Sequence, residues 1–208
     1  MIIGVTGGVG AGKSEVLRFL HDEFHAVILE MDAIGKKLME PGEACYDRIC
    51  DLFGNEAVKE DGTLDRPYIA NIVFHEPDKL EALNSIVHPA VREYCDCVIR
   101  ETQNQEKALI ILESAILLDA GYDTVCDEVW YIYTDEKTRA RRLRISRGYS
   151  DERIRAVMSS QKSEEFFREH ADFVLENSGS LEEMKQQIRE RFAASKLQNT
   201  ETEERPGT

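Results

Sequence analysis

Gly7-Gly8-Val9-Gly10-Ala11-Gly12-Lys13-Ser14 is the stretch whose reading decides the fold. Its spacing is G-x-x-x-x-G-K-[ST]. Residues 1–6 ahead of it are rich in Ile and Val and read as a short buried strand. Behind it, Val16, Leu17, Leu20 and Phe24 recur at helical spacing. A glycine-rich turn between a strand and a helix is the context this spacing requires. Glycines let the backbone curl so that successive N–H groups face phosphate oxygens, and the helix N-terminus adds partial positive charge. Gly8, Gly10, Ala11 and Gly12 are therefore expected to cradle a triphosphate. Lys13 is expected to bridge its β- and γ-phosphates, and Ser14 to place its hydroxyl on Mg²⁺. The expected ligand is a purine nucleoside triphosphate, ATP before others.

Working outward, residues 26–29, 108–112, 129–133 and 173–175 are further short apolar runs separated by helical stretches. That alternation predicts an α/β, three-layer fold: a five-stranded parallel sheet covered on both faces. Residues 33–107 carry mostly helical and turn signals and read as an insertion over the sheet's edge or mouth. Lys137, Arg139, Arg141, Arg142, Arg144 and Arg147 crowd one helical stretch of an otherwise acidic chain. Their charges point nearly all round the helix, which leaves no broad apolar stripe and makes a core helix a poor reading. A helical lid over 137–161 that brings guanidinium groups to a triphosphate fits better. Ser150 is a good N-cap inside it, with Asp151 and Glu152 in the following turn. The whole reads as one domain over 1–194, with its core at 1–32, 108–136 and 162–194. The polar tail, 195–208, lacks periodicity and is expected to be disordered.

The chain has 208 residues, 32% of them charged, and a net charge of −14. That balance argues against general affinity for nucleic acid or anionic membranes. No apolar run approaches a membrane span, and Met1-Ile2-Ile3-Gly4 has no basic leader character. The five cysteines are odd in number and lack zinc-site spacing, so free thiols in a cytoplasmic protein are expected. A monomer or weak homo-oligomer is expected.

The phosphate loop alone does not separate GTPases, motors and kinases. A GTPase would carry an N-K-x-D guanine motif, which the sequence lacks, and a motor or transporter ATPase usually needs a larger chain. A small kinase fits. Two carboxylates stand at strand ends, Asp32 after the second and Glu113 at the end of the third. Ligands of open parallel sheets bind at these ends. Phosphoryl transfer needs one acid to orient or deprotonate the acceptor hydroxyl and another to hold the metal's water shell.

These residues resemble the dephospho-coenzyme A kinase family over nearly the whole length, from Ile2 to about Asn177. Thr6 through Ser14 is similar to the family's T-G-G-I-G-S-G-K-S. Glu30-Met31-Asp32 stands where the family has D-A-D, whose second acid is assigned as the base. Pro41-Gly42, Phe53-Gly54, Asp61-Gly62-Thr63-Leu64-Asp65-Arg66, His88-Pro89, Gln161, Ala171-Asp172 and Asn177 complete the pattern in order. The resemblance implies transfer of the γ-phosphoryl group of ATP to the ribose 3′-hydroxyl of dephospho-coenzyme A, with Mg²⁺ as cofactor. It implies catalytic roles for Asp32, Lys13 and Arg142. It puts Glu15, Arg147 and Asn177 with the loop at ATP, and Asp65, Arg66 and His88 with Asp32 at the acceptor. Glu113 would hold the metal through water. Departures are Glu15 where the family has Thr, and Glu113-Ser114-Ala115-Ile116-Leu117-Leu118-Asp119 where it has D-x-P-L-L-F-E. Arg142 and Arg147 are also one residue further apart than the usual lid pair. The rival readings are another small P-loop nucleotide or nucleoside kinase, and a nucleotide-binding regulator without transfer activity.

Overall fold

The computed structural model describes residues 1–103 and 108–203. Residues 104–107, within the expected insertion, and 204–208, the end of the expected tail, lie outside the described residues.

Strands β1 (Ile2–Thr6), β2 (Val27–Glu30), β3 (Ile110–Glu113), β4 (Glu128–Tyr133) and β5 (Phe173–Glu176) form one sheet in the order β2-β3-β1-β4-β5. Every pairing is parallel. β1 therefore lies in the middle and delivers the phosphate loop to the centre of the sheet's carboxyl edge. Register places Val5 and Glu30 each beside Glu113, so two carboxylates stand side by side, one and two strands away from the strand that carries that loop.

Alternating side chains divide the core in two, as a strand's period of two requires. Ile3, Val5, Ile111, Trp130 and Ile132 face helices α1 (Lys13–Phe24) and α9 (Leu181–Glu203), meeting Val16, Leu20, Met184 and Ile188. Ile2, Ile110, Leu112 and Val129 face the other way, toward α2 (Met31–Leu38), α3 (Tyr46–Phe53) and α5 (Pro77–Gln103). There they meet Leu38, Ile49, Ile86 and Val91. Helix α4 (Arg66–His75) packs on α5. On the β4 side, α6 (Glu136–Arg147), α7 (Asp151–Ser159) and α8 (Glu164–His170) follow one another. Ser150 caps α7 by accepting from the Arg153 N–H.

Helix α5 runs through His88 and Pro89. The ring removes one helical donor and crowds the preceding turn; the Tyr122 hydroxyl donates to the His88 carbonyl at 3.2 Å and ties that turn to the core. The tail was expected to be disordered from Ser195, but α9 continues to Glu203. Its first half is anchored by Met184 and Ile188, and Ala193, Ala194, Lys196, Leu197 and Gln198 are good helix formers. Extending a helix that is already nucleated is easy.

Candidate active site

Most carbonyls of the phosphate loop find donors. Gly7 O accepts from Lys13 Nζ at 2.9 Å, and Gly8 O accepts from the Ala11 N–H at 3.1 Å. Val9 O accepts from Arg139 Nε at 3.0 Å. Ala11 O accepts from three side chains: Asn177 Nδ2 at 2.7 Å, Thr134 Oγ1 at 2.9 Å and Arg142 Nη1 at 3.2 Å. With these carbonyls engaged, the N–H groups of Gly10, Gly12, Lys13 and Ser14 have no protein acceptor among the described residues. They form an inward nest at the start of α1, built for an anion. Gly12 must be glycine. Its φ is +87°, and a Cβ there would lie 2.5 Å from Asn177 Nδ2.

A cavity of about 590 Å³ opens over this nest. Lys13, Ser14, Lys36, Arg142 and Arg147 bring donors to it, and Glu30, Asp32 and Glu113 bring carboxylates. Asp32 is in the first turn of α2, where the helix dipole favours an anion. It also lines a second cavity of about 250 Å³, walled by Met31, Met39, Val87, His88, Val91 and Tyr122.

Glu113 is the buried member of the acidic set, 8% exposed, with Lys13 Nζ 3.5 Å from its carboxylate. Burial pushes its carboxyl above the usual glutamate range. Lys13 pulls it back, while Asp32 and Glu30 add to the rise. A raised folded-state pKa means that the fold favours the protonated acid. The stability from this group is present at low pH and lost as pH rises through the folded pKa. Glu113→Gln is therefore expected to melt above the parent at neutral pH, with the gap closing below the ordinary glutamate value of about 4.3. Thermal melts at both pH values check this; a less stable Gln variant at neutral pH would mean that the Lys13 pairing outweighs burial.

A model of the family described as "CoaE: Dephospho-CoA kinase" matches residues 1–183. The chain belongs to the dephospho-CoA kinase family. A dephospho-CoA kinase from Carboxydothermus hydrogenoformans is 36% identical over 187 residues, covering 90% of each chain. The solved structure of TT1252 from Thermus thermophilus shares 33% identity with a TM-score of 0.79, covering 93% of this chain and 97% of that one. Shikimate kinase from Acinetobacter baumannii, at 16% identity and a TM-score of 0.55, covers 93% of this chain and 94% of its own and shares the fold. The expected five-stranded parallel kinase fold is what these neighbours have.

Within this dephospho-CoA kinase fold the expected site residues separate into groups. Gly8, Gly10, Ala11, Gly12, Lys13, Ser14, Asp32, Glu113, Arg142 and Arg147 converge on the larger cavity, and His88 on the smaller. Asn177 supports the loop from behind, through Ala11 O. Arg142 also donates to Asn177 O at 2.8 Å, so its guanidinium braces the loop in this conformation. Glu15 pairs with Arg18 on the exposed face of α1. Asp65 caps α4 by accepting from the Tyr68 N–H at 3.0 Å, and Arg66 binds Glu40 and the Lys36 carbonyl, each at 2.8 Å. Neither Asp65 nor Arg66 lines either cavity. The sequence pattern gave no role to Glu30, Lys36 or Thr134, and counted Arg139 only among the cations of the lid. Glu30 and Lys36 flank Asp32 in sequence, a signal that was there to use. Thr134 and Arg139 act through contacts distant in sequence, which no local pattern records.

Proposed function

We propose that the chain transfers the γ-phosphoryl group of ATP to the ribose 3′-hydroxyl of dephospho-coenzyme A, giving coenzyme A and ADP. The observation that carries this is the position of Asp32 between two cavities. One has an anion nest and cations for a triphosphate. The other has a largely apolar wall with His88, Tyr122, Ser114 and Lys36 as polar points, suited to the acceptor. An acid at their junction is where an acceptor hydroxyl must meet the phosphorus in line.

In this reading Asp32 orients the hydroxyl and accepts its proton. Lys13 leaves the Gly7 carbonyl and follows charge onto the bridge between the β- and γ-phosphates. Arg147 reaches the phosphates from α6, while Arg142 and Asn177 keep the loop in shape. His88 contacts the acceptor; Arg66 acts on it through Lys36, and Asp65 acts by holding the start of α4. The metal is Mg²⁺. Ser14 and the Glu30, Asp32 and Glu113 carboxylates offer only hard oxygen donors at one cavity. Among the described residues no three acids, histidines or cysteines form a metal cage. Mg²⁺ prefers that arrangement, held by phosphates, waters and one or two protein oxygens. When bound with ATP it neutralises charge developing on the transferred group. Ser14 would hold it directly and Glu113 through water.

All five cysteines are free, and among the described residues no helix is long and apolar enough to cross a membrane. A cytoplasmic home belongs to this proposal.

The test is ADP release with dephospho-coenzyme A set against a panel of nucleosides, nucleotides and shikimate. Turnover confined to dephospho-coenzyme A is expected. Preference for a nucleoside or nucleotide would favour a different small kinase, and no acceptor-dependent turnover would favour a nucleotide-binding regulator.

A further inference from the structure

Val9 stands out in the phosphate loop because both sides of it are held by side chains from far along the chain. Its N–H donates to Gln161 Oε1 at 3.3 Å, and its carbonyl accepts from Arg139 Nε at 3.0 Å. Arg139 Nη2 also donates to Gln161 Oε1, which closes the arrangement. Gln161 follows α7 and Arg139 lies on α6, so both ends of the stretch read as a lid meet on one loop residue. Gly8 and Gly10 flank Val9 and leave the backbone free to turn on either side. The contact with Arg139 is close: a Cβ on Gly8 would overlap its guanidinium.

Helix α6 grips the loop at successive points. Arg139 takes Val9 O, and Arg142, three residues on, takes Ala11 O. Leu143 packs against Gly10, where an added Cβ would lie 3.0 Å from its Cγ. This register commits the Val9 N–H to Gln161 and leaves the N–H groups of Gly10 and Gly12 without a protein acceptor among the described residues. We propose that Arg139 and Gln161 are positioning residues that clasp Val9 and couple the fold of residues 139–161 to the shape of the phosphate cradle. Their target is ATP affinity rather than the chemical step or the acceptor. The inference rests on the proposed use of the loop for ATP, and it is independent of which acceptor is phosphorylated.

The test is a double-mutant cycle on ATP binding to the full chain, measured by calorimetry without acceptor. Arg139→Ala and Gln161→Ala are each expected to raise Kd about tenfold, the scale of a charge-assisted hydrogen bond. The double variant is expected within about threefold of the weaker single, because either change opens the clasp. Arg139→Lys, a milder change, keeps one donor and is expected to fall between parent and Ala variant; it carries the test if the Ala variant fails to fold. In turnover, KM for ATP should rise while kcat at saturating ATP and KM for the acceptor stay near the parent's. Two results would overturn the proposal. One is a lowered Tm with ATP affinity unchanged, which would make Arg139 structural only. The other is fully additive losses, which would mean that the two side chains act separately. A parent that binds ATP normally but ignores dephospho-coenzyme A would sink the acceptor reading and leave this one standing.

Discussion

Asp32→Asn should lose about 10²- to 10⁴-fold in kcat while ATP affinity is kept. Asn has the size of Asp and can hydrogen-bond a hydroxyl, but it cannot take the proton. The side chain is exposed in the first turn of α2, lining both cavities, so the substitution leaves no buried charge unpaired. The loss should fall on kcat more than on KM for the acceptor, because the interaction strengthens toward the transition state. A loose phosphoryl-transfer transition state needs little base assistance early, which would put the loss at the low end of the range. Calorimetry with ATP beside kcat for both proteins separates the outcomes. Turnover within about threefold of the parent would remove Asp32 as base and as aligner, leaving Glu30 and Glu113 as the acids in the cavity.

Lys13→Ala should lower kcat by about 10²-fold or more with the fold intact. Lys13 Nζ rests between the Gly7 carbonyl at 2.9 Å and the Glu113 carboxylate at 3.5 Å. Both contacts are within reach of the cavity, so the ammonium can move onto a phosphate without rearranging the backbone. The same variant removes the cation that pulls the Glu113 pKa down. Glu113 should then hold its proton to higher pH, and any residual activity should rise with pH over a range shifted upward from the parent's. A far-ultraviolet spectrum like the parent's and a pH series of kcat check both parts. Comparable kcat in a folded Lys13→Ala protein would contradict the phosphate-loop assignment.

Much of this site was legible because its signals are local. Gly7 through Ser14 is contiguous, and the Ile and Val run before it and the helical spacing after it fix its context. Asp32 and Glu113 were readable from strand ends, since a parallel sheet gathers its ligands there. The supports of the loop were not readable. Thr134 and Arg139 reach it across 123 and 130 residues of sequence. Arg139 stood in the basic stretch, but nothing in a helical wheel distinguishes an arginine that grips a backbone from one facing solvent. Asp65, which the motif assigns to the acceptor, is also the N-cap of α4, a role Asp fills in many helices and one the motif alone does not reveal. The tail misled because helix continuation past Ser195 rests on an anchor that begins many residues earlier, at Met184.

Phosphorylation of one hydroxyl of one acceptor is tested most directly by the identity of the product formed from ATP and dephospho-coenzyme A, read by phosphorus NMR and mass. One new phosphomonoester on the ribose 3′-oxygen is expected, formed one for one with ADP and absent with Asp32→Asn on the same time scale. ADP formed without that phosphomonoester, or a phosphoryl group at another position, would contradict it.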